Sequence, residues 1–129
     1  MIGLDTNVLL RLFLRDDPEQ CERARRFVDA ATADEPCLVN PIVLALFAWT
    51  LARKLKRGRA EVARLIEEVL SADDLDISYR GAARNAATAY RAGRADFPDY
   101  LIAEINVELG RASTATFDAL DSPAFSPVP

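Results

Sequence analysis

Residues 1–10 of the chain are MIGLDTNVLL, a stretch in which one charged residue, Asp5, stands among apolar ones. The run at 2–5 is typical of a short β-strand, and the mostly apolar segment 7–14 is compatible with a helix. A carboxylate that was buried here without a partner would cost several kcal/mol. We therefore expect Asp5 to hold something at the end of the first strand.

The composition predicts one globular domain that spans residues 1–129, with half of its residues hydrophobic and 28% charged. The net charge of −4 argues against a non-specific nucleic-acid coat but leaves room for a local basic patch. The absence of histidine excludes histidine-based acid–base catalysis and histidine metal ligands.

Features of the termini and cysteines favour a cytoplasmic protein. Cys21 and Cys37 do not have the spacing of a metal site and fit a reducing cytosol as small apolar residues. The first residues lack the pattern of a signal peptide, and the longest apolar run, at 41–52, is too short to span a bilayer. We expect no membrane association.

The rest of the chain alternates strands with helices. Strands are predicted at 36–40, 75–78 and 113–117, and the proline-rich tail at 122–129 is expected to be extended and to add an edge strand. Helices are predicted at 18–31, where Asp17 and Gln20 form a capping box, and at 41–55, 62–69, 82–92 and 94–110. This order predicts an α/β three-layer sandwich, in which a mostly parallel four- or five-stranded sheet is flanked by helices.

Four aspartates are expected at one edge of this sheet. Asp5 ends the first predicted strand, Asp118 ends the fourth, and Asp96 and Asp99 start the helix that leads into it. Sites in open α/β sheets lie outside the carboxyl ends of the strands. Clustered carboxylates repel one another unless a cation lies between them, and Mg²⁺ or Mn²⁺ prefers such oxygen ligands. Metal-assisted hydrolysis is the chemistry that these residues favour.

Each acid also has a structural interpretation. Asp96 can be a helix N-cap, Asp99 a first-turn acid that the helix dipole favours, and Asp118 a turn residue. Asp5 is harder to explain in this way, because it directly follows strand residues that should be buried.

Three segments resemble the PIN domain and, within it, the VapC-type ribonuclease toxins of bacterial type II toxin–antitoxin systems. They are MIGLDTNVLLRLFLRDDPEQ at 1–20, ADFPDYLIA at 95–103 and TFDALDSPAF at 116–125. The resemblance implies a PIN-like fold, Mg²⁺ or Mn²⁺ as cofactor, hydrolysis of RNA, a homodimer, and inhibition by a small VapB-like antitoxin protein.

The resemblance also implies roles for individual residues. Asp5, Asp99 and Asp118 match the catalytic acids that hold the metal, and Asp96 matches an additional acid of the VapC-like version. Three further residues match supporting positions: Thr6 and Asn7, which would brace the first acid, and Thr116, whose hydroxyl would point into the pocket.

The chain departs from the family pattern at one position in the third helix. Such proteins usually carry a glutamate in a stretch that is VLALFAW here, and Leu46 occupies its place. No acid occurs anywhere from 41 to 60, so a shift in alignment cannot supply one. Taken on its own residues, the stretch predicts an apolar core helix with a buried Trp49. The alternative function is therefore a degenerate PIN domain with weak or no nuclease activity, which binds antitoxin or RNA.

A basic run follows this helix. It has five cationic residues, which are Arg53, Lys54, Lys56, Arg57 and Arg59. They form either a solvated helix end that the helix dipole favours or a rim that contacts RNA phosphates.

Two other classes fit the acid pattern less well. A receiver domain needs a lysine after a late strand, and none follows Phe117; a haloacid-dehalogenase-type phosphatase needs an acid where Asn7 stands.

The helices at 18–31 and 41–55 carry more apolar surface than the sheet is expected to cover. The candidates for that excess are Phe13, Phe47, Trp49 and Leu51. They predict a dimer contact and an antitoxin groove, or else are simply core.

Overall fold

The computed structural model describes residues 2–31, 34–120 and 122–129. Within these ranges six α-helices, one π-helical turn and four short strands alternate along the chain. In chain order they are α1 (Thr6–Leu14), α2 (Pro18–Asp29), β1 (Cys37–Val39), α3 (Pro41–Trp49), the π-helical turn (Thr50–Lys54), α4 (Arg59–Leu70), β2 (Leu75–Ile77), α5 (Arg80–Ala92), α6 (Phe97–Glu108), β3 (Thr114–Thr116) and β4 (Phe125–Pro127).

The strands pair in parallel, as predicted. The Leu4 N–H donates to the Leu38 carbonyl and the Leu38 N–H to the Ile2 carbonyl, each at 2.8 Å, so the N-terminal segment lies beside β1. β1 pairs with β2, and β3 pairs with β4 in the tail. The α/β class and the extra tail strand are thus confirmed. The described strands are only three residues long, and their hydrogen bonds form two separate ladders rather than one continuous sheet.

Helix starts follow the predicted capping chemistry at α2. The Asp17 carboxylate accepts a hydrogen bond from the Gln20 N–H at 3.1 Å, and Pro18 takes the first helical position. At α3 the Asn40 Oδ1 accepts a hydrogen bond from the Val43 N–H at 3.0 Å. These bonds satisfy donors that a helix start would otherwise leave open.

The core lies between the helices and the β1–β2 pair. Its fully buried large side chains are Phe47, Phe97, Leu9, Leu44, Leu51, Ile66, Leu70, Val28, Val39, Val62 and Val69. Phe47 and Leu51 are therefore core residues, and Phe13 packs edge-on against the Phe47 ring at 6.5 Å. The prediction that Phe47 and Leu51 belong to an exposed apolar surface is wrong, and the alternative that they are core residues is confirmed.

Trp49 is not a buried core residue, contrary to the core-helix interpretation. It is 49% exposed and lies in a stripe with Ile42 and Leu46 along α3. These three residues are spaced i, i+4 and i+7, which places them on one helix face. The apolar excess predicted for this helix therefore exists, but its members are Ile42, Leu46 and Trp49.

The connection between α5 and α6 is tightly packed. Helix α5 ends at Gly93, where a Cβ atom would overlap the Tyr100 hydroxyl and lie 2.8 Å from the Ala89 carbonyl oxygen. The Tyr100 hydroxyl accepts from the Ala95 N–H at 3.3 Å, and Arg59 donates to the Ala95 carbonyl at 2.9 Å. These contacts fix the chain directly before the start of α6.

The described part of the chain has no disulfide and no helix that could cross a membrane. Neither cysteine forms a disulfide: Cys37 is buried and Cys21 half-buried. Across residues 2–31, 34–120 and 122–129, no helix has both the length and the apolar character that crossing a bilayer requires.

Candidate functional site

Asp5 caps helix α1. Its backbone is extended, and its Oδ1 accepts a hydrogen bond from the Val8 N–H at 2.9 Å. The residue is exposed, although Leu4 before it is buried. The carboxylate therefore holds the first turn of a helix and avoids the cost of burial. A carboxylate has acceptor capacity on both oxygens, so the cap does not prevent a second role.

Thr6 and Asn7 are the first residues of α1. Asn7 is exposed and faces a groove between α1 and α2. The hydrogen bond to the Asp5 carboxylate comes from the backbone of Val8. Bracing of Asp5 by the side chains of Thr6 and Asn7 stays a prediction.

Asp96 occupies the N-cap position of α6 but its side chain does not cap the helix. Its Oδ2 accepts instead from the Arg53 Nη2 at 2.7 Å, in an ion pair that joins α6 to the π-helical turn. This hydrogen bond and the attraction of the carboxylate raise the pKa of Arg53. The N-cap position interpreted for Asp96 is therefore confirmed, but its side chain makes no capping hydrogen bond.

Asp99 lies in the first turn of α6 and is half-buried. Burial raises the pKa of its carboxyl above the ordinary value, and the negative charges of Asp96 and Asp118 raise it further, while a backbone hydrogen bond from Asp96 acts in the opposite direction. The three acids are thus close enough to interact electrostatically.

Asp118 follows β3 and is exposed. Its N–H donates to the Thr116 Oγ1 at 3.0 Å, which shapes the turn after the strand. Asp118 is therefore a turn residue whose charge also reaches Asp99. The Thr116 hydroxyl is engaged in this local contact, and its predicted position in a pocket stays a prediction.

The family model for the PIN domain matches residues 2–119. The chain belongs to the PIN domain family. The matched region contains Asp5, Asp96, Asp99 and Asp118. Neither the comparison with curated proteins nor that with solved structures finds a match. PIN domains are generally nucleases that use divalent metal ions and bind RNA.

The acids of this PIN domain have the right chemistry for such an ion but are not assembled as a ligand cluster. Carboxylate oxygens suit Mg²⁺ and Mn²⁺, and Mg²⁺ needs only one or two carboxylates besides waters. Within the described residues, however, no three acidic or cysteine side chains are grouped closely enough to hold a metal. Asp96 is also engaged by Arg53. That Asp5, Asp99 and Asp118 hold a metal stays a prediction.

Leu46 stands on the exposed face of α3 and is 48% exposed. It is therefore not required for the core, unlike its neighbour Phe47. A leucine offers no ligand to a hard cation, so this PIN domain lacks any acid from its third helix.

Most of the basic run has partners inside the protein. Arg53 pairs with Asp96, Arg57 with Glu61 at 2.8 Å, and Arg59 donates to two backbone carbonyls while its guanidinium lies 4.2 Å from the centroid of the Tyr90 ring. Lys54 and Lys56 are exposed. Any contact with RNA phosphates from this run would thus come first from these two lysines.

Two features near the candidate site escaped sequence reasoning. One is the ion pair of Arg53 with Asp96, whose partners are 43 residues apart; no local pattern links such positions. The other is the groove between α1 and α2, which Arg11, Arg23 and Phe27 help to line. Its signal in the sequence is the spacing of Arg23 and Phe27, which are four residues apart and share one helix face.

Proposed function

We propose that this PIN domain is a VapC-like endoribonuclease toxin that hydrolyses RNA phosphodiester bonds with Mg²⁺ or Mn²⁺. Asp5, Asp99 and Asp118 are the metal ligands in this proposal. Residues 1–129 act as one domain, as a homodimer in the cytoplasm, and a small VapB-like antitoxin inhibits it. The observation that carries the proposal is the half-buried Asp99, which lies within electrostatic reach of Asp96 and Asp118 in a chain that matches the PIN domain.

A bound divalent cation would stabilise negative charge at phosphorus and assist the attack of water. The chain's own residues position the reactants. Asp99 and Asp118 place carboxylate oxygens beside the phosphodiester, and Asp5 contributes a further oxygen from the start of α1. Arg53 holds Asp96 away from these tasks.

Cleavage of structured RNAs by the purified protein tests the proposal. With Mn²⁺ or Mg²⁺ the wild type should produce defined fragments, and a chelator should abolish them. Asp99→Asn should cleave at least ~100-fold more slowly, because even partners of metal ligands typically contribute ~10–100-fold. Fragments that are the same for wild type and Asp99→Asn would assign the cleavage to another enzyme.

The toxin role needs a separate test in cells. Expression of the wild type should arrest growth, and co-expression of a small protein encoded beside its gene should relieve the arrest. Light scattering should give the mass of a dimer. Growth arrest by Asp99→Asn equal to that by the wild type would contradict a toxin that acts through nuclease activity.

A second candidate is a degenerate PIN domain that binds RNA or antitoxin without cleaving. Leu46 favours it, since the third helix supplies no acid, and so does the ion pair that engages Asp96. Intact RNA that is retained by the wild type in the presence of Mn²⁺ would select this candidate.

A further inference from the structure

Helices α1 and α2 enclose a groove of about 370 Å³. Asn7, Val8 and Arg11 line it from α1, and Gln20, Arg23 and Phe27 from α2. The α2 residues follow the i, i+3, i+7 spacing of one helix face, so they form a continuous wall. This volume falls in the range of pockets that hold small ligands.

The walls combine an aromatic surface with two guanidinium groups. Phe27 is 49% exposed, although a phenyl ring is normally among the residues that folding buries. Arg23 is exposed, and Arg11 makes a surface ion pair with Asp16 at 3.2 Å. In a chain with a net charge of −4, this groove is a local cationic surface.

The groove adjoins the start of α1, where the candidate site begins. The Val8 N–H, which belongs to a lining residue, donates to the Asp5 carboxylate at 2.9 Å. Along the chain only Thr6 lies between Asp5 and the lining residue Asn7. The groove therefore begins next to Asp5 on helix α1.

We propose that this groove binds a nucleotide of single-stranded RNA next to the one at the acidic site. The Phe27 ring stacks on the base, and Arg23 and Arg11 bind phosphate oxygens. Single-strand binding generally combines cationic grooves with aromatic stacking, and planar guanidinium forks match phosphate geometry. The inference rests on the proposed function for its substrate. The position of the groove beside Asp5, at the candidate site, favours RNA over an acidic protein segment.

Binding of a fluorescent single-stranded RNA, measured by anisotropy with a chelator present, separates this inference from catalysis. Arg23→Ala and Phe27→Ser should each weaken binding about ten-fold. Arg23→Ala should also reduce the salt dependence, by about 0.7 in the slope of log affinity against log salt, because one phosphate contact is lost. Arg26→Ala is the matched control: it lies on the same helix, pairs with Glu22 at 3.6 Å and does not line the groove. Its affinity should equal that of the wild type.

Each outcome separates the two proposals. Groove variants that bind and cleave RNA as the wild type does would overturn this inference and leave the nuclease proposal standing. Binding that depends on Arg23 and Phe27 without any cleavage would support the groove and overturn the nuclease. If the groove variants bind RNA as the wild type does but no longer retain a partner protein that the wild type retains, the groove binds a protein segment and the inference is overturned. Melting curves of Arg23→Ala and Arg26→Ala should overlap with that of the wild type, since both side chains are exposed. Phe27→Ser should lower the melting temperature slightly, because about half of the ring is covered.

Discussion

Helices α1 and α6 both start at an aspartate in extended backbone, yet the two carboxylates are used differently. Asp5 accepts from the N–H three residues on and caps its helix. Asp96 does not cap α6 and reaches Arg53 instead. At α6 the equivalent donor, the Asp99 N–H, donates to the backbone carbonyl of Asp96 at 3.1 Å, while the Asp96 side chain pairs with Arg53. The residue type at a helix start does not decide its role; the donors within reach do.

Substitutions of Asp5 have the largest expected effect on RNA cleavage. They also separate the helix cap from the proposed metal role of this residue. Asp5→Ser keeps a side-chain oxygen that can cap α1, whereas Asp5→Ala does not. Both should lower RNA cleavage by at least ~100-fold if the carboxylate binds metal. Only Asp5→Ala should also lose about 1 kcal/mol of unfolding free energy. Cleavage rates and denaturant melts of the pair are the measurements, and normal cleavage by Asp5→Ser would limit Asp5 to capping.

Leu46 tests whether the third helix faces the acids. Leu46→Glu should bind Mn²⁺ at least ~10-fold more tightly than the wild type, because it restores a carboxylate that the family pattern carries there. Without metal the extra charge should lower the melting temperature through repulsion, which protonation of the new carboxyl limits. Metal titrations and melting curves of both proteins provide the readout. Equal affinities would mean that this position points away from the site.

Arg53 should have a smaller effect on the same titration. Arg53→Gln removes the cation that engages Asp96, so Mn²⁺ affinity should rise, but by less than for Leu46→Glu, because no new ligand is added. The melting temperature should barely change, since exposed ion pairs contribute little. Arg91→Gln is a suitable control, because it breaks a comparable exposed pair with Glu67 at 2.9 Å. Equal shifts in metal affinity for both variants would exclude a specific role of Arg53.

The smallest expected effect concerns pH. The pKa of Asp99 is raised in the folded protein, above a usual value of about 3.9. Its contribution to stability is therefore fully present below the unfolded pKa and is lost as pH rises through the folded pKa. Asp99→Asn should be more stable than the wild type at pH 7 without metal, and the difference should vanish near pH 3. Melting curves across this range check it; a difference independent of pH would rule out ionisation as the cause.

The sequence predicted the order of the elements because hydrophobic periodicity, proline positions and capping residues are local. It placed the strand at 36–40 and the helix at 41–55 within a few residues of β1, α3 and the π-helical turn. It could not predict that Trp49 is exposed, since a mostly apolar helix has no polar face to orient it. Nor could it predict the pairing of Arg53 with Asp96, which depends on how α6 packs against α3.

Gly93 limits which amino acids this PIN domain can accept between α5 and α6. Its backbone angles are open to any residue, so the requirement for glycine comes from space and not from conformation. The Tyr100 hydroxyl and the Ala89 carbonyl occupy the volume that a methyl group would need. The short connection that leads to Asp96 and Asp99 therefore tolerates one amino acid at this position, while surface positions such as Lys54 tolerate many. Random mutagenesis that scores folded protein should recover Gly93 almost unchanged, next to acids whose replacement leaves the fold intact.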